Sequence, residues 1–279
     1  MLDKKLPIGV FDSGLGGLTA VRRLKKIMPD EDIIYFGDTG RVPYGTRSFE
    51  TIKKYACDDM NFLLTNNVKA VLVACGTVSS TALELLKDTF DVPVIGVVEP
   101  ASERACQLSK SGRIAVLATP STISTKAYDH AIAAIRHDSS VLGVGCPMFV
   151  PLVENGYTDT DNPVTTLIAK EYVSKLKEFK PDVIILGCTH YPIIKDTVKK
   201  CAEEIIGDVD IVDSGSSAAY AVKDYLEHNG LLNDNGGKAS YFVSDRPNDF
   251  GKLASVFLEE PVSDFNKIDI EKYFYHNHN

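Results

Sequence analysis

Apolar and polar positions along this chain alternate in blocks. Short runs rich in Val, Ile and Leu occur at residues 6–11, 32–37, 68–74, 92–98, 113–118, 141–145, 181–187, 208–212 and 239–244. None is long enough for a free-standing helix. Their near-continuous apolar character suits strands covered on both faces of a parallel sheet. Between them lie stretches with helical periodicity: residues 49–66 set Ile52, Tyr55, Ala56, Met60 and Leu63 on one face. Further helices are predicted over residues 162–179, 216–230 and 248–258, and Glu99-Pro100 is expected to break a strand before a helix from Ala101. Strand then helix, repeated, predicts an α/β fold of doubly wound domains with mainly parallel sheets.

The order of elements repeats. A first series ends near residue 98. A second begins at residue 99, and its strand at 113–118 leads into the hydroxyl-bearing turn of Thr119, Ser121 and Thr122. Late in the chain Asp213-Ser214-Gly215 echoes Asp12-Ser13-Gly14. That echo assigns the last segment to the first half. The expected domains are residues 1–98 plus 208–279, and residues 99–207, sizes that ordinary α/β domains reach.

Two of the strand ends carry chemistry. The run at 68–74 ends in Cys75-Gly76-Thr77, and the run at 181–187 ends in Cys188-Thr189-His190. Turns at the C-terminal ends of strands are where open α/β sheets bind ligands. A helix N-terminus there is expected to lower a thiol's pKa. Two such turns facing each other place one thiol on each side of a small substrate. The turn Asp12-Ser13-Gly14, continued by Gly16 and Gly17, offers backbone N–H groups to an anion. It has neither the GxGxxG register nor the lysine of a P-loop, and in isolation Asp12-Ser13 reads equally well as a helix cap. The loop around Pro43-Tyr44-Gly45, with Arg41 and Arg47, occupies another binding position, and Glu154 precedes the glycine turn at Gly156.

Composition narrows the possible partners. A formal charge of −8 and a pI near 5.3 argue against nucleic acid or an anionic membrane. The opening residues lack the apolar core of a signal peptide and no run is long enough to span a bilayer, so a soluble cytoplasmic protein is expected. Six cysteines without a CxxC pair form neither a zinc pattern nor a disulfide framework. Cys57, Cys106, Cys146 and Cys201 are read as small buried hydrophobes.

Taken together, Asp12-Ser13-Gly14, Asp38 to Ser48 with Pro43-Tyr44-Gly45, Cys75 with Thr77, Glu99-Pro100, Cys188-Thr189-His190 and Asp213-Ser214 resemble, in order, the motifs of the cofactor-independent glutamate racemases of bacteria, within the aspartate/glutamate racemase group. The resemblance implies two α/β domains related by approximate two-fold symmetry, with the active site in the cleft between them and one cysteine from each. It implies interconversion of L- and D-glutamate, supplying D-glutamate for peptidoglycan, with no cofactor, no metal and a homodimeric assembly. Cys75 and Cys188 would be the acid/base thiols, tuned by Asp12, Glu154 and His190. Asp12, Ser13, Pro43, Tyr44, Gly45, Gly76, Thr77, Thr119, Thr189 and His190 would surround the substrate with the two cysteines. Gly76 departs from the family's asparagine, so weaker substrate binding is expected, and Gly76→Asn is expected to lower the Michaelis constant. The alternatives are an aspartate racemase or another two-cysteine isomerase, or an amino-acid-binding homologue that has lost catalysis.

Overall fold

The apolar runs form strands. The computed structural model describes residues 3–246, 250–262 and 264–274. Among these residues the strands are β1 (Ile8–Asp12), β2 (Ile33–Gly37), β3 (Ala70–Val73), β4 (Val94–Ile95), β5 (Arg113–Ala118), β6 (Ser140–Gly145), β7 (Val183–Leu186), β8 (Asp210–Asp213), β9 (Ala239–Val243) and β10 (Phe265–Lys267). They build two sheets, in the orders β10-β9-β2-β1-β3-β4 and β6-β5-β7-β8. Every recorded pairing is parallel. The central strands β1, β3 and β7 are buried along their whole length, which is why they read as unbroken apolar runs.

The orders β2-β1-β3-β4 and β6-β5-β7-β8 are the same, so β1 corresponds to β5 and β3 to β7. The expected pair of similar α/β halves is present, with β9 and β10 added to the first sheet beside β2. The boundary expected at residue 208 is displaced. Strand β8 pairs with β7, Val183 beside Asp210 and Leu186 beside Asp213, so it belongs to the second sheet. The Asp213-Ser214-Gly215 echo is capping chemistry: Asp213 accepts from the backbone N–H of Ser216 at the start of helix Ser214–His228. By position in the sheet β8 matches β4, the counterpart of Asp12 is Ala118, the last residue of β5, and Thr119 matches Ser13.

The two connections cross. Helix Val98–Leu108 follows β4 but packs on β7 and β8, while helix Ser214–His228 follows β8 but packs on helix Leu18–Ile27 and β3. Glu99-Pro100 does not break this region. Pro100 lies in the first turn of helix Val98–Leu108, where a missing N–H leaves no intrahelical bond unmade. The other helices keep their places with shorter ends. Phe49–Leu64 stops before Asn67, which has φ 52°, and Pro163–Ser174 starts from an Asn162 cap. The last predicted helix is seen as Phe250–Leu258, its first two positions, residues 248–249, lying outside the described residues. No helix among the described residues is long and apolar enough to cross a membrane.

Candidate active site

Both sheets point their C-terminal strand ends at one cavity of about 450 Å³. The turn after β3 contributes Cys75, Gly76 and Thr77, and the matching turn after β7 contributes Cys188, Thr189 and His190. Ser13 follows β1, Thr119 follows β5, Pro43-Tyr44-Gly45 follows β2, and Glu154 ends helix Phe149–Glu154. Of the acid/base and substrate residues that the resemblance implies, Asp12 alone is absent from the lining. Cavities of about 620 and 790 Å³ elsewhere on the surface are lined by no cysteine, so the thiols decide in favour of the smaller one.

On the first side, the Cys75 thiol donates to Ser13 Oγ at 3.5 Å. Burial pushes this thiol up to about 12 and the nearby Asp12 charge adds to the rise, while bonds from Ser13 and the backbone of Val78 oppose it. The lowering expected from a helix N-terminus is therefore reversed at Cys75. The helix is only six residues long, Gly76–Thr81, and an enclosed wall withholds the water a thiolate needs. Asp12 is fully buried. Its Oδ2 accepts from the backbone N–H groups of Gly14 and Gly17, each at 3.1 Å, and its Oδ1 has no partner within the protein. Burial raises its carboxyl above the ordinary range, opposed by the charge of His190 and by the backbone N–H groups. A buried carboxyl with a free oxygen, electrostatically linked to Cys75, can hold or release a proton at modest expense.

On the second side, His190 Nε2 lies 3.0 Å from Glu154 Oε1, and Nδ1 lies 3.4 Å from Thr189 Oγ1. Burial alone would push the imidazole down. Hydrogen bonds to the Cys188 side chain and to Glu154 outweigh it and lift the group to about 10. Phe257 meets the imidazole edge-on, 5.1 Å between centroids. A folded pKa above the unfolded value of about 6.5 stabilises the fold fully below that pH, and the contribution is lost as pH rises through about 10. Melting curves of wild type and His190→Gln should therefore converge between those limits. A difference that stays constant across that window would exclude a charged His190.

The seam between the halves explains several small residues. A Cβ on Gly16 would stand 2.2 Å from Thr189 Oγ1 and 2.5 Å from His190 Nδ1, and Thr19 Oγ1 donates to the carbonyl of Thr189 at 3.1 Å. The glycine-rich turn seats the Cys188 turn, and Asp12 occupies two of the N–H groups expected to face an anion. A Cβ on Gly76 would stand 2.3 Å from the carbonyl oxygen of Gly187. Hydroxyls continue the seam, with Thr77 Oγ1 3.2 Å from Thr119 Oγ1, which lies 3.0 Å from Thr122 Oγ1. Tyr44 lines the cavity, but its hydroxyl turns away into a buried cluster of carboxylates. Cys146, read as structural, lines the cavity as well. Its thiol donates to the carbonyl of Val144 at 3.4 Å, and burial holds it protonated, so it serves as wall. Cys57, Cys106 and Cys201 lie away from the cavity. Thr122 belongs to the hydroxyl-bearing turn marked in the sequence, where it was not among the expected site residues, and nothing local in the sequence marks Phe257.

A model of the family described as Asp/Glu/hydantoin racemase matches residues 18–222. The chain belongs to that family. A glutamate racemase of Geobacter metallireducens is 45% identical over 245 residues, 87% of this chain and 89% of that protein. One from Thermoanaerobacter pseudethanolicus is 43% identical over 269 residues, covering 96% and 98%. Among solved structures, the Francisella tularensis glutamate racemase in complex with D-glutamate superposes with a TM-score of 0.89 at 36% identity, covering 97% of this chain and all of that one.

Proposed function

We propose that this protein is a glutamate racemase that uses Cys75 and Cys188 as its two bases. One observation carries the reading: the two thiols come from equivalent strand ends, β3 and β7, of opposite sheets and open into one cavity. A thiolate on one face takes the α-proton of glutamate. The C–H electron pair passes into the adjacent carboxylate as the α-carbon flattens, and the thiol on the other face then delivers its proton. The product is the opposite enantiomer, and the protein has exchanged which cysteine is ionised. His190, held by Glu154, supports the charge at Cys188, while Asp12 serves Cys75. Hydroxyl and backbone donors of the turns stabilise the charge that develops on the substrate carboxylate. The reading requires no cofactor or metal, and includes a homodimer in the cytoplasm providing D-glutamate for the cell wall.

The test is racemisation in heavy water. Product formed from either enantiomer should carry solvent deuterium at the α-carbon, and activity should survive dialysis against a chelator or a carbonyl-trapping reagent. Product that retains its original α-hydrogen, or activity lost on dialysis, would contradict the two-thiol route. Sedimentation of the same preparation should give twice the 30.5 kDa chain mass, and a monomer mass would remove the dimer from the proposal.

A further inference from the structure

Behind the cavity wall lies a cluster that the two-thiol chemistry leaves unused. Arg41 donates from Nε to Asp38 Oδ2 at 2.6 Å, from Nη1 to Asp58 Oδ2 at 2.7 Å and from Nη2 to Asp59 Oδ1 at 2.9 Å. All three carboxylates are fully buried. The guanidinium carbon sits 4.1 Å from the ring centre of Tyr55, and Ser244 Oγ donates to Asp38 Oδ1 at 2.7 Å. One guanidinium offsets only one of three buried carboxylates, so the cluster is costly, and what its hydrogen bonds fix in place is the point of interest.

What it holds is Tyr44. The phenol is 1% exposed and its oxygen lies between Asp38 Oδ2 and Asp59 Oδ2, the latter at 3.1 Å. One hydroxyl proton cannot serve two ionised carboxylates, so one acid must bring its own. Asp38 already accepts from Arg41 Nε and Ser244 Oγ, as an ionised carboxylate does, which leaves Asp59 to carry the proton, and burial with the Asp38 charge raises Asp59 in the same direction. The order is then Asp59 donating to Tyr44 and Tyr44 donating to Asp38, with Arg41 bonded to both acids. The strip so anchored packs against both halves of the site. A Cβ on Gly45 would be 3.5 Å from Thr119 Cβ, and one on Gly14 would be 3.3 Å from Val42 Cγ1.

We propose that Asp38, Arg41, Asp58 and Asp59 set the affinity for the substrate from behind the cleft, by clamping the Tyr44 hydroxyl so that Pro43-Tyr44-Gly45 presents a fixed backbone to it. These are positioning residues, none of which touches the reacting atoms. The substrate being glutamate rests on the function proposed above, whereas the clamp itself does not.

The decisive variant is Tyr44→Phe, which keeps the ring and removes the clamped atom. Calorimetric titration should show glutamate binding weakened about tenfold, the loss of one hydrogen bond's worth of order. The Michaelis constant should rise with it while turnover changes less than about threefold. Asp38→Asn, which leaves one acceptor oxygen where Tyr44, Arg41 and Ser244 use two, should weaken binding more than Asp59→Asn, whose amide still donates to Tyr44. Hydrogen exchange of the backbone over residues 40–48, measured without ligand, should quicken in Tyr44→Phe at unchanged far-ultraviolet circular dichroism. Unchanged exchange, or unchanged affinity in a wild type that binds glutamate, would overturn the clamp. A wild type that fails to bind glutamate while the exchange still quickens would overturn the racemase reading and leave the clamp standing.

Discussion

Cys75→Ala and Cys188→Ala should each be folded and each lose racemisation by at least about a thousandfold, within the range that one positioned acid/base group supplies. The loss should be equal in the two directions, because every turnover needs both faces: one thiol removes the proton and the other returns one. The more informative result is in isotope exchange. A variant with a single thiol can still take the α-proton of the one enantiomer whose C–H faces it, and can only return a proton to the same face. In heavy water each variant should therefore wash deuterium into one enantiomer without inverting it, and the two variants should act on opposite enantiomers. Truncating a wall-lining thiol to alanine leaves a small cavity and should cost the fold little, so melting temperatures within a few degrees of wild type are expected. Cys57→Ala, Cys106→Ala and Cys201→Ala, away from the cavity, should racemise as wild type does. Full turnover in both directions by either active-site variant would end the two-base mechanism for this protein.

The strands and the turns that follow them were legible because burial on both faces leaves a simple trace: apolar runs that end abruptly in small and hydroxyl residues. That is why Cys75, Thr77, Cys188, Thr189 and His190 could be placed on the correct strand ends. What was hidden depends on partners far away in the chain. Gly16 looks like a ligand-binding glycine until Thr189 and His190 are seen against it. Cys75 looks like an activated thiol at a helix start until both halves close around it and take away the water. Asp58 and Asp59 sit on the buried side of helix Phe49–Leu64, where an amphipathic pattern would place apolar residues. Two adjacent acids on a helix usually mean a solvated face, and only Arg41 and Tyr44 reveal another purpose. The boundary set near residue 208 failed for a related reason. An Asp-Ser-Gly sequence records how a helix starts and carries no information about which sheet the preceding strand joins.

Gly76→Asn is expected to reduce turnover by about tenfold to a hundredfold, the reverse of what the missing family asparagine suggested from sequence. The reason is contact between the two cysteine turns. A Cβ at position 76 would lie 2.3 Å from the carbonyl oxygen of Gly187, the residue immediately before Cys188. The Gly187 peptide follows directly on β7, its N–H bonded to the carbonyl of Leu117 at 2.8 Å, and it does not step aside as a side-chain tip can. Residue 76 opens helix Gly76–Thr81 just after Cys75, so any side chain there forces the two thiol-bearing turns apart. Overpacking of this kind costs about 1–3 kcal/mol, and here the displacement falls on the spacing between the bases. A left-handed backbone is not the explanation, because the glycines with positive φ among the described residues are Gly112, Gly156, Gly207, Gly230 and Gly237. Gly76→Ala separates the two ideas, since it adds the offending carbon without an amide. If close approach governs, Ala and Asn both lower turnover in both directions. If the amide governs, Ala behaves as wild type while Asn lowers the Michaelis constant, and the contact with Gly187 must then relax by a hinge between the two sheets when a side chain is present. Parallel kinetics of wild type and both variants, from L- and from D-glutamate, distinguish these outcomes.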